Sequence, residues 1–252
     1  MGSSVNTSIV VPALNEAEII GPFLQHLRRC APESEIIVAD GGSNDETIAI
    51  AEDIADVIVR APRGRASQMN AGACAASGDV LWFLHADSQI HSGCLPQLER
   101  TLKPRRTIGG CFRLRIPRPN WIYRVSDSLG NFGVSMFGFA LGDHGIFCHR
   151  ADFFAVGGYP DVPLMEDAEL YRRLKRRGQM RQLRGEIETS PRRYEALGPY
   201  RTTFFYLLIL ALYVTGVPLH LLARLHRRFT RTVEQLPAPA NAPLLRGASS
   251  TL

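Results

Sequence analysis

Four short apolar runs, each rich in Val or Ile, alternate with helical patterns and constrain the fold of this chain more than any other feature. The runs cover residues 8–11, 35–39, 57–59 and 79–84. Parallel strands need a crossover connection between them, which is usually a helix, so this alternation predicts a parallel sheet. We therefore expect an α/β fold with a mostly parallel sheet flanked by helices.

Two predicted helices follow directly on the ends of the first two strands. Apolar residues at positions 19, 20, 23, 24 and 27 recur at helical spacing, with Asn15 and Glu18 placed as a capping pair. Ser43 and Glu46 are placed in the same way before the next helix. The free N–H groups and positive dipole ends of both helices would point into the crevice at the strand ends, which predicts an anion site.

Length and composition fit one globular domain with a tail. The chain has 252 residues, 45% hydrophobic and 21% charged, which excludes a disordered or fibrous protein. Residues 1–100 carry 6 Lys and Arg against 13 Asp and Glu, whereas residues 101–252 carry 23 against 11. The basic second half could face anionic lipid, a phosphorylated substrate or nucleic acid. No nucleic-acid-binding motif accompanies the arginines, so we expect no nucleic-acid partner.

The cysteines and the amino terminus indicate a reducing compartment. Five cysteines, at positions 30, 74, 94, 111 and 148, contain no C-x-x-C pair, so we expect reduced, buried thiols. The apolar run at residues 9–14 is short and is interrupted by Pro12, unlike a signal peptide. The sequence therefore predicts a cytoplasmic domain.

The second half of the chain is less regular. We expect a strand at residues 111–116 and a loop at 117–142, which could bind a second substrate or be an ordinary connection. We divide the chain into a main domain at residues 1–200 and an apolar and basic helical segment at 201–230. Residues 236–252 have too few large apolar side chains to fold and are expected to be a disordered tail.

An apolar stretch at residues 204–219 lies between arginines. Arg201 precedes it, and three arginines follow it, namely Arg224, Arg227 and Arg228. The stretch is shorter than the ~20 residues that a spanning helix needs, and Gly216 and Pro218 interrupt it. A helix in the membrane interface, with its arginines at the headgroups, fits this pattern and predicts peripheral contact at the inner face of the cell membrane. A buried core helix or a dimer contact is the alternative.

Candidate binding residues follow the first two strands. They are Pro12, Ala13, Asn15 and Glu16 after the first strand, and Asp40, Gly41 and Ser43 after the second. Polar groups of the first set could bond a base or ribose, or Asn15 could only cap its helix. Asp40 could accept from a base N–H while glycine permits close backbone approach, or the second set could be a plain turn.

A third set lies in the loop before a small-residue helix predicted at residues 66–76. Arg63 and Arg65 could reach a diphosphate there, or they could be exposed arginines in a loop. Gln68 and Asn70 follow within the helix. The small residues of this helix would let it pack tightly on the sheet.

Two further sets carry the side chains suited to catalysis. His85, Ala86 and Asp87 follow the fourth strand directly, where imidazole and carboxylate could hold a divalent ion, although His85 could equally be a hydrogen-bonded structural residue. Glu166 and Asp167 follow G-G-Y-P and open a helix at residues 168–177. Carboxylates there could act in catalysis or simply compensate the helix dipole.

In this order and spacing, P-x-x-N-E, D-G-G-S-x-D, N-x-G, H-A-D and G-G-Y-P followed by E-D resemble the family-two glycosyltransferases over residues 8–195. The resemblance implies a GT-A type fold with a Rossmann-like sheet, followed here by the apolar helical segment. More narrowly, P-R-G-R-A-x-Q-M-N-A-G-A and F-L-H-A-D resemble a bacterial subgroup linked by name to arsenosugar biosynthesis.

The resemblance implies an inverting transfer from a UDP- or GDP-sugar donor to an unknown hydroxyl acceptor. The residues implied to hold the nucleoside are Ala13, Asn15, Glu16, Asp40, Ser43 and Asn70. Asp87 would bind the cation, Mn²⁺ or Mg²⁺, and Asp167, next to Glu166, would be the catalytic base. The expected donor site is completed by Pro12, Gly41, Arg65, Gln68, His85 and Ala86. Arg193 lies in P-R-R-Y, which resembles the region where some relatives place a diphosphate-contacting Q-x-x-R-W.

Two departures from the family pattern matter. The usual D-x-D is His85-Ala-Asp87, and the frequent D-D-G-S is Asp40-Gly-Gly-Ser. A His ligand would favour manganese, since magnesium prefers oxygen. Two other functions stay open. A sugar nucleotidyltransferase would need a glycine-rich phosphate loop that residues 12–16 lack, and a membrane-peripheral module could bind nucleotide sugars without catalysis.

Overall fold

The computed structural model describes residues 6–230 as one sheet with helices packed on both faces. The strands are β1 (Thr7–Ala13), β2 (Glu35–Asp40), β3 (Val57–Arg60), β4 (Val80–Phe83), β5 (Ser88–Gln89), β6 (Thr107–Arg115), β7 (Phe147–His149) and β8 (Gln179–Thr189). The helices are α1 (Ala17–Cys30), α2 (Thr47–Glu52), α3 (Arg65–Ala75), α4 (Cys94–Leu102), α5 (Trp121–Phe137), α6 (Arg150–Ala155), α7 (Glu166–Arg177), α8 (Arg192–Leu197), α9 (Pro199–Val214) and α10 (Leu219–Thr230), with a 3₁₀ turn at Gly142–His144.

The sheet has the order β3-β2-β1-β4-β7-β6-β8-β5. β1 pairs in parallel with β2 and β4, and β2 with β3, so all four strands predicted from the apolar runs are confirmed in one parallel unit. β7 is antiparallel to both β4 and β6, which gives β6 and β8 the same direction as β4. The carboxyl ends of six strands therefore meet at one edge, where sheets of this class bind ligands.

The sheet divides the hydrophobic core into two layers, because successive side chains of a strand point to opposite faces. Val11 of β1 lies in the layer with Leu24 of α1, and Val10 lies in the opposite layer with Met69 of α3. Gly72 allows α3 to pack closely, since a Cβ at this position would clash with the side chain of Val10. This is the tight helix packing that the small residues predicted.

Both predicted capping pairs, Asn15 with Glu18 and Ser43 with Glu46, are wrong. α1 and α2 begin later than predicted, and neither has a side-chain cap. Asn15 instead adopts a positive φ of 54°, and its Oδ1 accepts from the backbone N–H of Asn44 at 2.9 Å. Asn15 and Ser43 thus bond across from one loop to the other, whereas Asp45 accepts both from Ala17 of α1 and from the backbone N–H of Thr47 in α2.

The predicted anion site at the start of α1 is filled by the chain itself. The backbone N–H of Ala17 donates to Oδ2 of Asp45 at 3.2 Å, and that of Glu16 donates to Oγ1 of Thr47 at 2.8 Å. Asp45 provides the negative charge that the positive end of a helix favours. A phosphate group would therefore find these donors already engaged.

The irregular region is more structured than predicted. The loop expected at residues 117–142 is wrong, because α5 occupies most of it. Asn120 caps this helix by accepting from the backbone N–H of Ile122, and Gly138, with a φ of 67°, ends it. The strand expected at 111–116 is present as β6, which begins four residues earlier at Thr107.

All five cysteines are free, as expected. Cys94, Cys111 and Cys148 are buried, whereas Cys30 is partly exposed and Cys74 is exposed. The prediction of buried thiols is therefore wrong for Cys74.

The apolar stretch at 204–219 forms most of α9 and the start of α10, which are separated at Gly216 and Pro218. One side of α9 is buried in a cluster with Phe139 and Met165. Tyr213 extends this contact by donating its hydroxyl to Glu169 of α7 at 2.6 Å. Within residues 6–230, no helix is long and apolar enough to cross a membrane. The predicted tail at residues 236–252 lies outside the described residues.

Candidate active site

The loops after β1 and β2 bring three of the predicted nucleoside-binding residues together. Asp40, which is 1% exposed, accepts from the backbone N–H groups of Gly42 and Ser43 at 2.9 and 3.1 Å. The backbone N–H of Asn15 donates to Ser43 Oγ at 2.9 Å. These bonds fix the shape of the loops before any ligand binds, so the crevice at this edge is preorganised.

Glu16, after the end of β1, and Asp87, after the end of β4, are close enough to interact electrostatically. Burial, followed by the nearby Asp87 carboxylate, raises the pKa of Glu16, while Arg192 and Arg65 act in the opposite direction. Pro12 and Ala13 are buried beside Glu16, whereas Asp87 is exposed. The adjacent carboxylates make this part of the crevice acidic.

Gln68 and Asn70 are engaged by the protein itself. Nε2 of Gln68 donates to the carbonyls of Ala13 and Ala39 at 2.7 and 2.9 Å, which joins the ends of β1 and β2. A Cβ on Gly41 would lie 2.9 Å from the Gln68 side chain, so glycine makes room for this contact. Gln68 therefore supports the crevice, and its amide donors are not free for a nucleotide.

The Asn70 side chain is also hydrogen-bonded within the protein, to the turn that precedes α7. Its Nδ2 donates to the carbonyl of Tyr159 and its Oδ1 accepts from the N–H of the same residue, both at 2.9 Å. Asn70 thus forms a clamp between α3 and the G-G-Y-P turn, and its role in holding the nucleoside stays a prediction. This clamp positions the segment leading to Glu166 and Asp167.

His85 and Asp167 converge on Gly142, a residue that the sequence interpretation did not select. A Cβ on Gly142 would clash with His85 Nε2 and would lie 2.7 Å from Asp167 Oδ2. The end of β4 and the start of α7 are thus brought together. Burial, followed by the Arg65 charge, lowers the pKa of His85, which favours a neutral ring.

Asp167 is 5% exposed, and its Oδ1 is buried without a hydrogen-bond partner among the described residues. Burial and the neighbouring Glu166 carboxylate raise the pKa of Asp167 to about 7, although the Arg65 charge opposes them. Arg65 lies 3.8 Å from Glu166, measured from NH1 to Oε1. A carboxylate with a pKa near neutrality is well matched to accept a proton.

Asp143 and Arg193 add further charges around His85, Asp87 and Asp167. Asp143, in the 3₁₀ turn, acts electrostatically on His85, Asp167 and Arg193. Arg193 donates to the Tyr206 hydroxyl at 3.0 Å, and the negative charge of Asp87 stabilises its guanidinium charge. The sequence interpretation missed Asp143, and its only signal was the pair of flanking glycines in G-D-H-G directly before β7.

The donor set suits a divalent cation that shares its coordination with a substrate. Asp87 supplies an exposed carboxylate, and His85 supplies a neutral imidazole two residues before it. The Asp87 charge raises the pKa of Glu16, an unfavourable proximity of carboxylates that a cation would relieve. Within residues 6–230, no group of three or more His, Cys, Asp or Glu side chains is arranged to hold a metal ion by itself.

The mostly parallel sheet flanked by helices, with its polar side chains at the carboxyl edge, is the GT-A type fold that two solved glycosyltransferase structures share. The chain belongs to glycosyl transferase family 2, whose domain it matches over residues 8–156. The predicted fold and enzyme class are thereby confirmed.

Known proteins support this family from sequence and from structure. The chain is 27% identical over 151 residues to undecaprenyl-phosphate 4-deoxy-4-formamido-L-arabinose transferase of Proteus mirabilis, a match covering 55% of this chain and 46% of that protein. The chain thus spans less than half the length of this relative.

Two solved structures share the fold. Glucosyl-3-phosphoglycerate synthase from Mycobacterium tuberculosis, solved with Mn²⁺, UDP and glucosyl-3-phosphoglycerate, has a TM-score of 0.57 and 18% identity over 86% of this chain and 82% of its own. A mannosyltransferase from Pyrobaculum calidifontis, solved with GDP-Man and Mn²⁺, has a TM-score of 0.57 and 18% identity, covering 91% and 72%.

Proposed function

We propose that this protein transfers a sugar from a nucleotide-sugar donor to a hydroxyl acceptor, with inversion at the anomeric carbon. The observation that carries the proposal is the buried carboxyl group of Asp167, whose Oδ1 has no hydrogen-bond partner among the described residues and which meets His85 at Gly142. Family membership and the GDP-Man bound by the Pyrobaculum neighbour support the donor class. Residues 12–16 lack a glycine-rich phosphate loop, which disfavours a nucleotidyltransferase.

In this reaction Asp167 takes the proton of the acceptor hydroxyl. The acceptor oxygen forms a bond to the anomeric carbon on one face of the sugar, and the bond to the diphosphate oxygen breaks on the other. The nucleoside diphosphate leaves with the bonding electron pair. Glu166 tunes the pKa of the base, since its charge disfavours ionisation of Asp167. A single base is sufficient for inversion.

The donor would lie along the ends of β1, β2 and β4. We assign the nucleoside to the preorganised loops of Asn15, Asp40 and Ser43, with Ala13 and Glu16 beside them. Arg65 and Arg193 would face the diphosphate, because each lies near the acidic end of β4. Gln68 and Asn70 would hold the walls of this site without touching the donor.

Asp87, together with His85, would hold a divalent cation at the diphosphate. When bound, such an ion neutralises charge on the leaving group. Mn²⁺ fits a set containing imidazole better than Mg²⁺ does. Both structural neighbours were solved with Mn²⁺, which supports this assignment.

Replacement of the proposed base tests the function. Asp167→Asn should lower transfer by at least about 1000-fold, since the acceptor loses its general base, while nucleoside diphosphate binding stays within a few fold. Glu169→Gln is the matched control, because Glu169 lies on the same helix but bonds to Tyr213. Transfer assays and calorimetry with a panel of UDP- and GDP-sugars and Mn²⁺ provide both readouts. Unchanged turnover in Asp167→Asn rejects the base, and donor binding without turnover in the wild type favours the non-catalytic module.

We further infer that the acceptor is presented at the cytoplasmic face of a membrane. The Proteus relative is named for a lipid phosphate, and residues 201–230 combine apolar and basic side chains. We keep two further proposals from the sequence. One is the division between a main domain and an apolar, basic segment at residue 200, and the other is membership in the bacterial subgroup linked to arsenosugar biosynthesis. A donor panel assayed with lipid phosphates and with soluble hydroxyl compounds separates the acceptor classes.

A further inference from the structure

Two helices expose apolar side chains on a shared surface, which we call the α5–α9 face. α5 contributes Trp121, Phe132 and Met136, which are 60%, 49% and 60% exposed. α9 contributes Tyr200, Phe204 and Leu208, which are 52%, 71% and 39% exposed. Each set recurs at helical spacing along one side of its helix. Clustered apolar residues of this size on a surface mark an interaction site.

The two helices lie side by side along their length. At their amino ends the rings of Trp121 and Tyr200 are 5.8 Å apart. Near their carboxyl ends Phe137 stacks on Phe139 at 6.2 Å, and Phe139 meets Tyr213 edge-on at 5.3 Å. These contacts hold α5 beside α9, and the Trp121–Tyr200 pair joins the two exposed sets directly at the amino ends.

A basic groove opens next to this face. It lies between α5, β6 and β8, has a volume of about 660 Å³, and is lined by Arg113, Arg115, Arg124, Phe132 and Glu186 among others. Arg115 is paired with Glu186, at 3.0 Å, and with Glu188, at 3.9 Å. Arg113 and Arg124 are exposed and have no ion-pair partner in the described part of the chain. Phe132 belongs to both the groove and the α5–α9 face.

The charges around the face favour one kind of partner. Residues 199–230 contain four arginines and neither Asp nor Glu. The groove lining holds three arginines against two carboxylates, those of Asp127 and Glu186, so it keeps a net positive charge. Aromatic and aliphatic side chains beside unpaired arginines match the acyl boundary and the anionic headgroups of a lipid bilayer.

We propose that the α5–α9 face binds an anionic membrane surface, with the headgroup phosphate of one lipid in the groove between Arg113 and Arg124. This extends the proposed membrane contact from residues 201–230 to α5, and the binding itself does not require sugar transfer. Trp121 and Phe204 enter the acyl boundary, and the arginines select anionic lipid.

Sedimentation of the full chain with vesicles tests this surface. Wild type should pellet with phosphatidylcholine vesicles containing phosphatidylglycerol and only weakly with pure phosphatidylcholine. Arg113→Gln and Arg124→Gln should each lower binding to the anionic vesicles by about fivefold, with little change on the neutral ones. Trp121→Ala with Phe204→Ala should lower binding to both. Phe154→Ala is the control, since Phe154 is 42% exposed but lies on α6, outside this face.

Two outcomes overturn the proposal. One is equal vesicle binding by wild type and all the variants. The other is absence of vesicle binding together with a concentration-dependent dimer that the Trp121→Ala, Phe204→Ala variant abolishes, which would make the face a contact between two copies. Calorimetry with UDP and GDP on the same samples shows whether the folded donor site persists, so failure here is distinguishable from failure of the proposed function.

Discussion

At the scale of single residues, the proposed acid–base chemistry depends on the buried carboxyl group of Asp167. The pair Glu166 and Asp167 was visible as two carboxylates opening a helix, a pattern that dipole compensation explains equally well. Only the fold shows that Asp167 is 5% exposed and that its pKa is raised to about 7 by burial and by Glu166. Long-range packing decides this burial, so no local pattern could reveal it.

The raised pKa of Asp167 predicts how turnover depends on pH. The base acts only when unprotonated, so kcat should fall about tenfold per pH unit below the pKa and level off above it. Besides Glu166, the groups facing this carboxylate are Arg65, Asp143, His85 and Tyr159. Transfer rates from about pH 5 to 9 measure the profile. Glu166→Gln should move the limb to lower pH, and a flat profile across neutrality would exclude Asp167 as the group that titrates.

Stability should depend on pH in the opposite sense. The folded-state pKa of Asp167 lies above 3.8, the ordinary pKa of an Asp side chain, so the folded state retains the proton more strongly than the unfolded state. The contribution of this group is therefore fully favourable at low pH and is lost as the pH rises through about 7. The Asp167→Asn variant should consequently gain in Tm relative to wild type as the pH is raised from about 5 to 8.

Gly142 gives a second prediction at this scale. In Gly142→Ala the new Cβ would meet His85 Nε2 and Asp167 Oδ2 and push the two groups apart. We expect kcat to fall by about 100-fold, because small displacements of reacting groups are costly, whereas nucleoside diphosphate affinity changes little. Gly93→Ala is the control, since Gly93 has a φ of −78° and its nearest contact would be 3.9 Å away. Equal losses in the two variants would contradict the assignment.

At the scale of elements, the clamp between α3 and the G-G-Y-P turn is the contact most easily tested. Asn70→Asp would place an oxygen against the Tyr159 carbonyl, to which Nδ2 now donates. We expect the free energy of unfolding to fall by ~2 kcal/mol, as measured by chemical denaturation. Asn44→Asp is the control, because Asn44 is exposed and only its backbone N–H is bonded to Asn15. A similar loss in both variants would argue against the clamp.

Some elements were misread from the sequence for identifiable reasons. The interior glycines Gly130 and Gly133 lower the helix propensity of α5, so local preference does not indicate this helix. The helix is fixed by tertiary contacts, since Asn131 bonds both the backbone N–H and the carbonyl of Leu114 at 2.9 Å. The capping pairs failed because Ser43 and Asn15 found partners in each other's loop, about thirty residues away.

At the scale of the whole molecule, periodicity was sufficient for the parallel half of the sheet but not for its extension. β1 to β4 are apolar runs in regular alternation with helices, so local patterns specify them. β7 has only three residues, and its antiparallel insertion between β4 and β6 depends on pairings distant in sequence. That insertion places the 3₁₀ turn with Gly142 and Asp143 next to Asp167, which explains why the sequence did not reveal this part of the site.

The occupied start of α1 has a consequence for how a diphosphate could be held and released. Asp45 and Thr47 already take the amide donors of Ala17 and Glu16, so the proposed diphosphate would be held by the cation and by guanidinium groups such as Arg65 and Arg193 instead of by the start of α1. Such groups sit on long, rotatable stems, unlike amides locked in a backbone. Release of the nucleoside diphosphate after transfer would then need rotation of these side chains but no movement of the backbone.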